Sequence, residues 1–321
     1  MSEQRSDRPR IASGQPLVFS HIPKTAGTSL RAALTEALRP QHVVDALDLS
    51  LVGGYDNVDG VDQSVQDMFH FTPDTLPADA ELVHGHLAPG TTMARYPDGH
   101  FLTVLRDPRL RLLSQWIHSR SLSDFDLRHY RREGTAFRVA RLPLRAYLDH
   151  AKLAPNVDNT ITRFLAWPHP LLRQDDFIDP EHDEELLAAA RARLDRFDHV
   201  GLVEDPAVMQ RISTWLGVEV APVRENERTG VPRRRRTDIR RELDPAALVR
   251  LDHRTRLDRR LWWSVAERVL DDPQAVWDAG WSRALARYEK AMTQPVTGRP
   301  VRRAVESVYD AGYRLLRGRG F

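Results

Sequence analysis

Apolar residues in the first two thirds of the chain come in short runs that alternate with helical stripes. Leu17 to Ile22 is one such run, closed by Pro23, and its nearly continuous apolar character predicts a strand covered on both faces of a parallel sheet. From Thr28 the spacing changes, and Leu30, Ala33, Leu34, Ala37 and Leu38 fall on one helical stripe. Val43, Val44, Leu47 and Leu49 predict a second strand. Glu81 to His86 predicts a third, running out into a loop at Ala88-Pro89-Gly90, and Phe101 to Leu105 and Val200 to Val203 predict two more.

Helix starts are signalled by Asp-Pro pairs, because aspartate caps the free N–H groups and proline suits the first helical position. The pair occurs at Asp107-Pro108, Asp179-Pro180, Asp205-Pro206, Asp244-Pro245 and Asp272-Pro273. Further helices are expected over Leu142 to Leu153, Asn159 to Trp167, and Ala207 to Leu216 with Gly217 as its stop. Strands alternating with helices to about residue 217 define an α/β fold with a parallel sheet and crossover helices, and the C-terminal part reads as mostly helical. Gly53-Gly54 and the acidic stretch Asp56 to Asp67 read as a surface excursion.

Composition narrows the chemistry. The 321 residues are 41% hydrophobic, enough for a sizeable core, and contain no cysteine, which excludes disulfides, thiolate metal sites and a cysteine nucleophile. No apolar run approaches the ~20 residues of a membrane span, and residues 1–15 are polar and expected to be flexible, so the expected location is cytoplasmic. Net charge is +2 but uneven: the first hundred residues hold seven Lys/Arg against thirteen Asp/Glu. Nearly all of the basic residues are arginine, which fits planar recognition of phosphate or sulfate and fits a GC-rich genome equally well.

Between the first strand and the first helix lie Lys24, Thr25, Ala26, Gly27, Thr28 and Ser29. Such a turn aims backbone N–H groups and the positive end of a helix at one point, with a lysine charge and three hydroxyls beside them. It can cradle an anion, or it can be a plain strand-to-helix turn capped by Thr28 or Ser29. The usual nucleotide loop has its lysine after the second glycine, and here Lys24 precedes the only one.

As written, His21-Ile22-Pro23-Lys24-Thr25-Ala26-Gly27-Thr28-Ser29 resembles the 5′-phosphosulfate loop of sulfotransferases that use 3′-phosphoadenosine 5′-phosphosulfate (PAPS), in the branch containing the carbohydrate 2-O-sulfotransferases. The stretch from Leu105 to Trp116 resembles that family's 3′-phosphate motif, with Arg106 and Ser114 matching its arginine and serine eight residues apart. Val83-His84-Gly85-His86 is similar to the His-x-His between the two motifs; read alone, the pair also suits a metal, but no further ligand sits near it at metal spacing. Asp158 to Leu165 and Phe197 to Glu204 resemble two later segments of the family, so the likeness covers about residues 16–270.

The resemblance implies a P-loop-like parallel sheet flanked by helices, and an O-sulfotransferase domain over residues 16–290. It implies PAPS as co-substrate on Lys24 to Ser29, Arg106 and Ser114, with no metal required. His86 is implied as general base with His84 as its support, and Lys24 as stabiliser of the leaving phosphate. The expected partner is a hydroxylated acceptor, whether small molecule, glycolipid or saccharide, and not nucleic acid. A small-molecule kinase with a divergent phosphate loop is the alternative. Asn159 and Arg163 border an acceptor pocket or serve a buried hydrogen-bonding role, and Arg233 to Arg236 close over the 3′-phosphate or form a solvated loop. Residues 291–321 form a basic tail whose Val301, Val305, Val308, Leu315 and Leu316 share a helical face, suited to peripheral membrane contact or to packing back on the domain.

Overall fold

The structure, a computed structural model, describes residues 11, 12, 14–48, 50, 63, 67, 70, 72–127, 138–173, 175–223 and 230–294. The tail from 295 onward and most of the acidic stretch 56–67 lie outside the described residues. Five strands, β1 (Leu17–Ser20), β2 (Val43–Leu47), β3 (Leu82–His86), β4 (His100–Leu105) and β5 (His199–Leu202), form one parallel sheet in the order β2-β3-β1-β4-β5. This is the α/β fold that the alternating pattern predicts.

Helix α1 (Gly27–Leu38) follows β1 and leads to β2 on one side of it, whereas the chain leaving β4 arrives at β5 on the other. Neighbouring parallel strands whose connections depart in opposite directions leave a crevice beyond their carboxyl ends, the place where α/β sheets bind ligands. Here those strands are β1 and β4. Their tips carry Lys24 and Arg106.

Beyond β3 the expected loop is instead a two-turn helix, α2 (Pro89–Arg95). Pro89 sits in its first turn, where a missing N–H costs nothing, and Gly90 admits the Trp167 carbonyl, 2.2 Å from where a Cβ would stand. After β4, α3 (Pro108–Ser121) starts as predicted, with the Asp107 carboxylate accepting from the N–H groups of Arg109 and Leu110 at 2.9 and 3.4 Å. The helix expected over Leu142 to Leu153 is shorter, α4 (Leu144–Leu148) followed by a single turn at Ala151–Leu153; α5 (Ala154–Val157) and α6 (Thr160–Ala166) come next. Helix α7 (Asp183–Leu194) enters through a turn capped by Asp179, and α8 (Val208–Leu216) ends at Gly217, whose φ of 70° is the left-handed stop that glycine supplies. Then come α9 (Ile239–Glu242), α10 (Pro245–Arg254), α11 (Arg256–Val269) and α12 (Pro273–Thr293), with α10 and α12 capped by Asp244 and Asp272.

Strand residues alternate between two apolar layers, as the twofold period of a strand requires. Leu17, Phe19, Leu82, Leu102 and Val104 meet α1 and α8 on one face, and Val18, Val83, Phe101 and Leu105 meet residues of α6, α7 and α11 on the other. A third apolar cluster joins α3 to α4, α10 and α12 around the buried Trp116 and Tyr288. Among the described residues no helix is long and apolar enough to cross a membrane.

Candidate anion site at the tips of the sheet

Helix α1 lacks a side-chain cap. Its N-cap is Ala26, held at φ 62°, and Lys24 two residues earlier also has a left-handed φ, 70°. Non-glycine residues in that region cost about 1–3 kcal/mol each, and such strain is found where a loop must hold a particular shape. Among the described residues no protein group accepts a hydrogen bond from the N–H of Ala26, Gly27, Thr28 or Ser29. The plain turn capped by Thr28 or Ser29 is therefore not what forms. Not every expected donor faces outward: the Thr25 hydroxyl is buried and donates to the Ile22 carbonyl at 2.9 Å, so its proton is used in shaping the loop.

At the neighbouring tip, Arg106 is only 9% exposed. It donates from Nη1 to the Lys24 carbonyl at 3.0 Å and from Nη2 to the Tyr288 hydroxyl at 3.1 Å, while its Nε has no partner among the described residues. One turn up α3, Arg111 is fully buried and donates to the Asn156 carbonyl and the Thr160 hydroxyl, leaving Nε and Nη1 without partners. Burial lowers the Arg111 pKa, with Arg106 adding repulsion and Asp258 opposing both. Among the described residues no carboxylate lies within 4.0 Å of either guanidinium. Buried charges are normally paired, so two adjacent unpaired cations are the chemistry of an anion site. Ser114 lies a further turn along α3, part-buried.

Glu204 holds this tip in place from β5. Its carboxylate accepts from the Asp107 N–H at 3.0 Å and the Trp262 indole at 3.2 Å, and burial raises its pKa despite those bonds. The segment from Phe197 to Glu204 therefore positions the start of α3.

Histidines occupy the third tip. Register pairs Phe19 with His84 and His84 with Asp45, so these side chains share the face covered by α1, and His21 and His86 lie one step further along it. Gly85 separates the two histidines because β2 passes close by: a Cβ there would stand 2.1 Å from the Ala46 carbonyl, and its φ is 120°. His86 donates from Nδ1 to the His21 carbonyl at 2.7 Å. A carbonyl only accepts, so Nδ1 carries the proton and, in the neutral ring, Nε2 keeps its lone pair. Burial lowers the His86 pKa, opposed by that hydrogen bond and by Asp45, which favours the neutral form at pH 7.

His84 makes no hydrogen bond to His86; its Nδ1 stands 3.3 Å from the Asp45 carboxylate. Contact with His84, and then the nearby Arg31, hold Asp45 below the usual carboxylate range. The orienting contact comes from His21, whose ring centroid is 4.5 Å from that of His86. His21 was legible only as part of the motif; the signal for its role was its place two residues past Phe19, on the same face.

Other predicted residues take structural parts. Asn159 is fully buried, accepts from the Leu257 N–H at 2.8 Å and donates to Asp158. Arg163 donates to Asp158 and to the carbonyls of Arg173 and Asp176, with every nitrogen engaged, and only borders a cavity of about 10 Å³ beside Pro23 and Thr160. Arg233 to Arg236 sit where the Arg235 carbonyl accepts from Arg120, ~18 Å along α3 from its start. Arg235 reaches the Leu122 carbonyl and Arg236 those of Val231 and Gln294. Asp48, unmarked in the sequence, ties the end of β2 to α2 by accepting from the Ala88 N–H and the Thr91 hydroxyl, and its burial raises its pKa.

No protein-family model matches this chain, and no curated protein matches it significantly.

Proposed function

We propose that this chain is an O-sulfotransferase that takes the sulfuryl group of PAPS and delivers it to a hydroxyl of a small-molecule, glycolipid or saccharide acceptor. The observation that carries the reading is the direct bond between Arg106 and the Lys24 carbonyl, which makes one continuous surface of a loop with unanswered N–H groups and a pair of unpaired buried arginines. An adenosine bisphosphate offers an anion at each end. The support for this chain is chemical: two neighbouring groups of orphaned donors suit a ligand with an anion at each end.

In this reading Lys24 and the N–H groups of Ala26 to Ser29 hold the 5′ end, and Arg106, with Arg111 behind it and Ser114 further along α3, holds the 3′-phosphate. The bound donor supplies a sulfuryl group and a phosphate leaving group. Donors fixed in place before reaction stabilise charge on that phosphate without reorganising. His86, neutral with Nδ1–H fixed, takes the acceptor hydroxyl's proton at Nε2, a contribution of roughly 10²- to 10⁴-fold.

Calorimetry tests it with 3′-phosphoadenosine 5′-phosphate against ADP. The expected result is at least about tenfold tighter binding of the 3′-phosphorylated nucleotide. Equal affinities, or a preference for ADP, would overturn the reading and favour a kinase. His86→Ala should keep nucleotide affinity and lose roughly 10²- to 10⁴-fold in turnover with sulfur-labelled donor.

A further inference from the structure

We infer that His21 is the positioning residue of His86: its carbonyl selects the nitrogen that carries the proton, and its ring, wedged between Gly27 and His86, governs how much water reaches the base. That His86 acts as a base rests on the sulfuryl-transfer reading; the contact between the two histidines does not.

Three observations meet at this ring. The hydrogen bond from His86 Nδ1 to the His21 carbonyl is 2.7 Å, so the tautomer is set by the backbone of the same residue that supplies the ring. The His21 and His86 rings lie 4.5 Å apart at an interplanar angle of 35°, and Phe19 stacks on His21 at 5.6 Å. A Cβ at Gly27 would stand 1.8 Å from Cδ2 and 2.0 Å from Nε2 of His21. In a nucleotide loop a glycine commonly lets the backbone approach phosphate. Here Gly27 makes room for a histidine, and the first residue of α1 touches the base through one intervening ring.

The groups facing His21 are His84 and His86 from β3, Lys24 from the loop and Arg31 from α1, with Asp45 of β2 beyond His84. Burial first, and then the repulsion of His86, Lys24, His84 and Arg31, hold His21 well below its ordinary pKa. His21 is therefore a neutral wall at pH 7 rather than a second acid. Its removal changes no charge but admits water to His86. Burial is the main cause lowering the His86 pKa, so hydration moves that value upward, toward ~6.5. A base must be unprotonated to act, so the acid limb of the rate profile then moves to higher pH.

The test is the ¹⁵N-histidine spectrum of the full chain without nucleotide, with His86 assigned by its disappearance in His86→Ala. The expected wild-type result is an Nδ1–H tautomer titrating below ~6.5. His21→Ala should raise the His86 midpoint by about half a pH unit or more, and His21→Phe, which keeps a ring in place, should leave it within about 0.2. His21→Gln serves where the alanine variant does not fold. A His86 midpoint that is the same in wild type, His21→Ala or His21→Gln, and His21→Phe overturns the inference, as does an Nε2–H tautomer in the wild type. Absence of sulfuryl transfer in an enzyme that shows the expected titrations would defeat the functional reading alone.

Discussion

Two polar regions of this molecule are built on opposite principles. From Asp158 to Arg163 the polar side chains are answered: Asp158 accepts from Asn159, Arg163 and the Ile178 N–H, the Thr160 hydroxyl accepts from Arg111, and Asp258 of α11 caps α6 through Ile161 and Thr162. At the tips of β1 and β4 the bonding stays open, with four N–H groups, Arg106 Nε and two nitrogens of Arg111 lacking partners among the described residues. Buried polar groups are costly when unmatched. A closed network is therefore a scaffold, and an open one marks where a ligand completes the structure.

The contrast breaks most easily at its closed side. Asp158→Ala removes a fully buried carboxylate and strands Arg163 and the Ile178 N–H, with Arg254 and Arg256 also within 4 Å. Breaking one partner of such a pair costs about 3–5 kcal/mol, so urea unfolding should show a loss of that size. A loss under about 1 kcal/mol would mean the network is not holding the fold.

Arg106→Met sharpens the open side. It deletes two hydrogen bonds, to the Lys24 carbonyl and the Tyr288 hydroxyl, but also relieves an unpaired buried charge, and these effects oppose each other. Stability without nucleotide should change by no more than about 1 kcal/mol. The preference for a 3′-phosphorylated nucleotide over its 3′-dephospho analogue should fall by about tenfold or more. Equal losses for both nucleotides would remove the second phosphate position from the site.

The regions also differ in how they could be read from residue order. Strands, α1, the Asp-Pro starts and the α/β alternation were legible because each depends on residues within a few positions. The Lys24 loop and the stretch at Arg106 were each legible as words, but not their contact, since Arg106 and Lys24 are 82 positions apart and meet only because β4 lies beside β1. Asn159 and Arg163 left two roles open, because residue type shows that a group is polar and not whether its bonds are closed. Helix α2 was missed for a related reason. Pro89-Gly90 is turn chemistry locally, and the glycine is explained only by the Trp167 carbonyl, nearly eighty positions on.

Tyr288 is the most distant contributor and gives the smallest predicted effect. It comes from α12, 182 positions after Arg106, and its buried hydroxyl accepts from Arg106 Nη2 while donating to the Leu110 carbonyl at 2.9 Å. Tyrosine in that place holds one guanidinium nitrogen while the Lys24 carbonyl holds the other. Tyr288→Phe keeps the ring and deletes two hydrogen bonds, to the Arg106 guanidinium and to the Leu110 carbonyl; with the Lys24 bond still holding Arg106, only a part of that loss, ~0.5–1.5 kcal/mol, falls on the anion site. Affinity for 3′-phosphoadenosine 5′-phosphate should drop about two- to tenfold, while ADP binding stays the same. If both nucleotides weaken together, Tyr288 acts by packing α12 on α3; if only the 3′-phosphorylated one does, the C-terminal helix belongs to the open region.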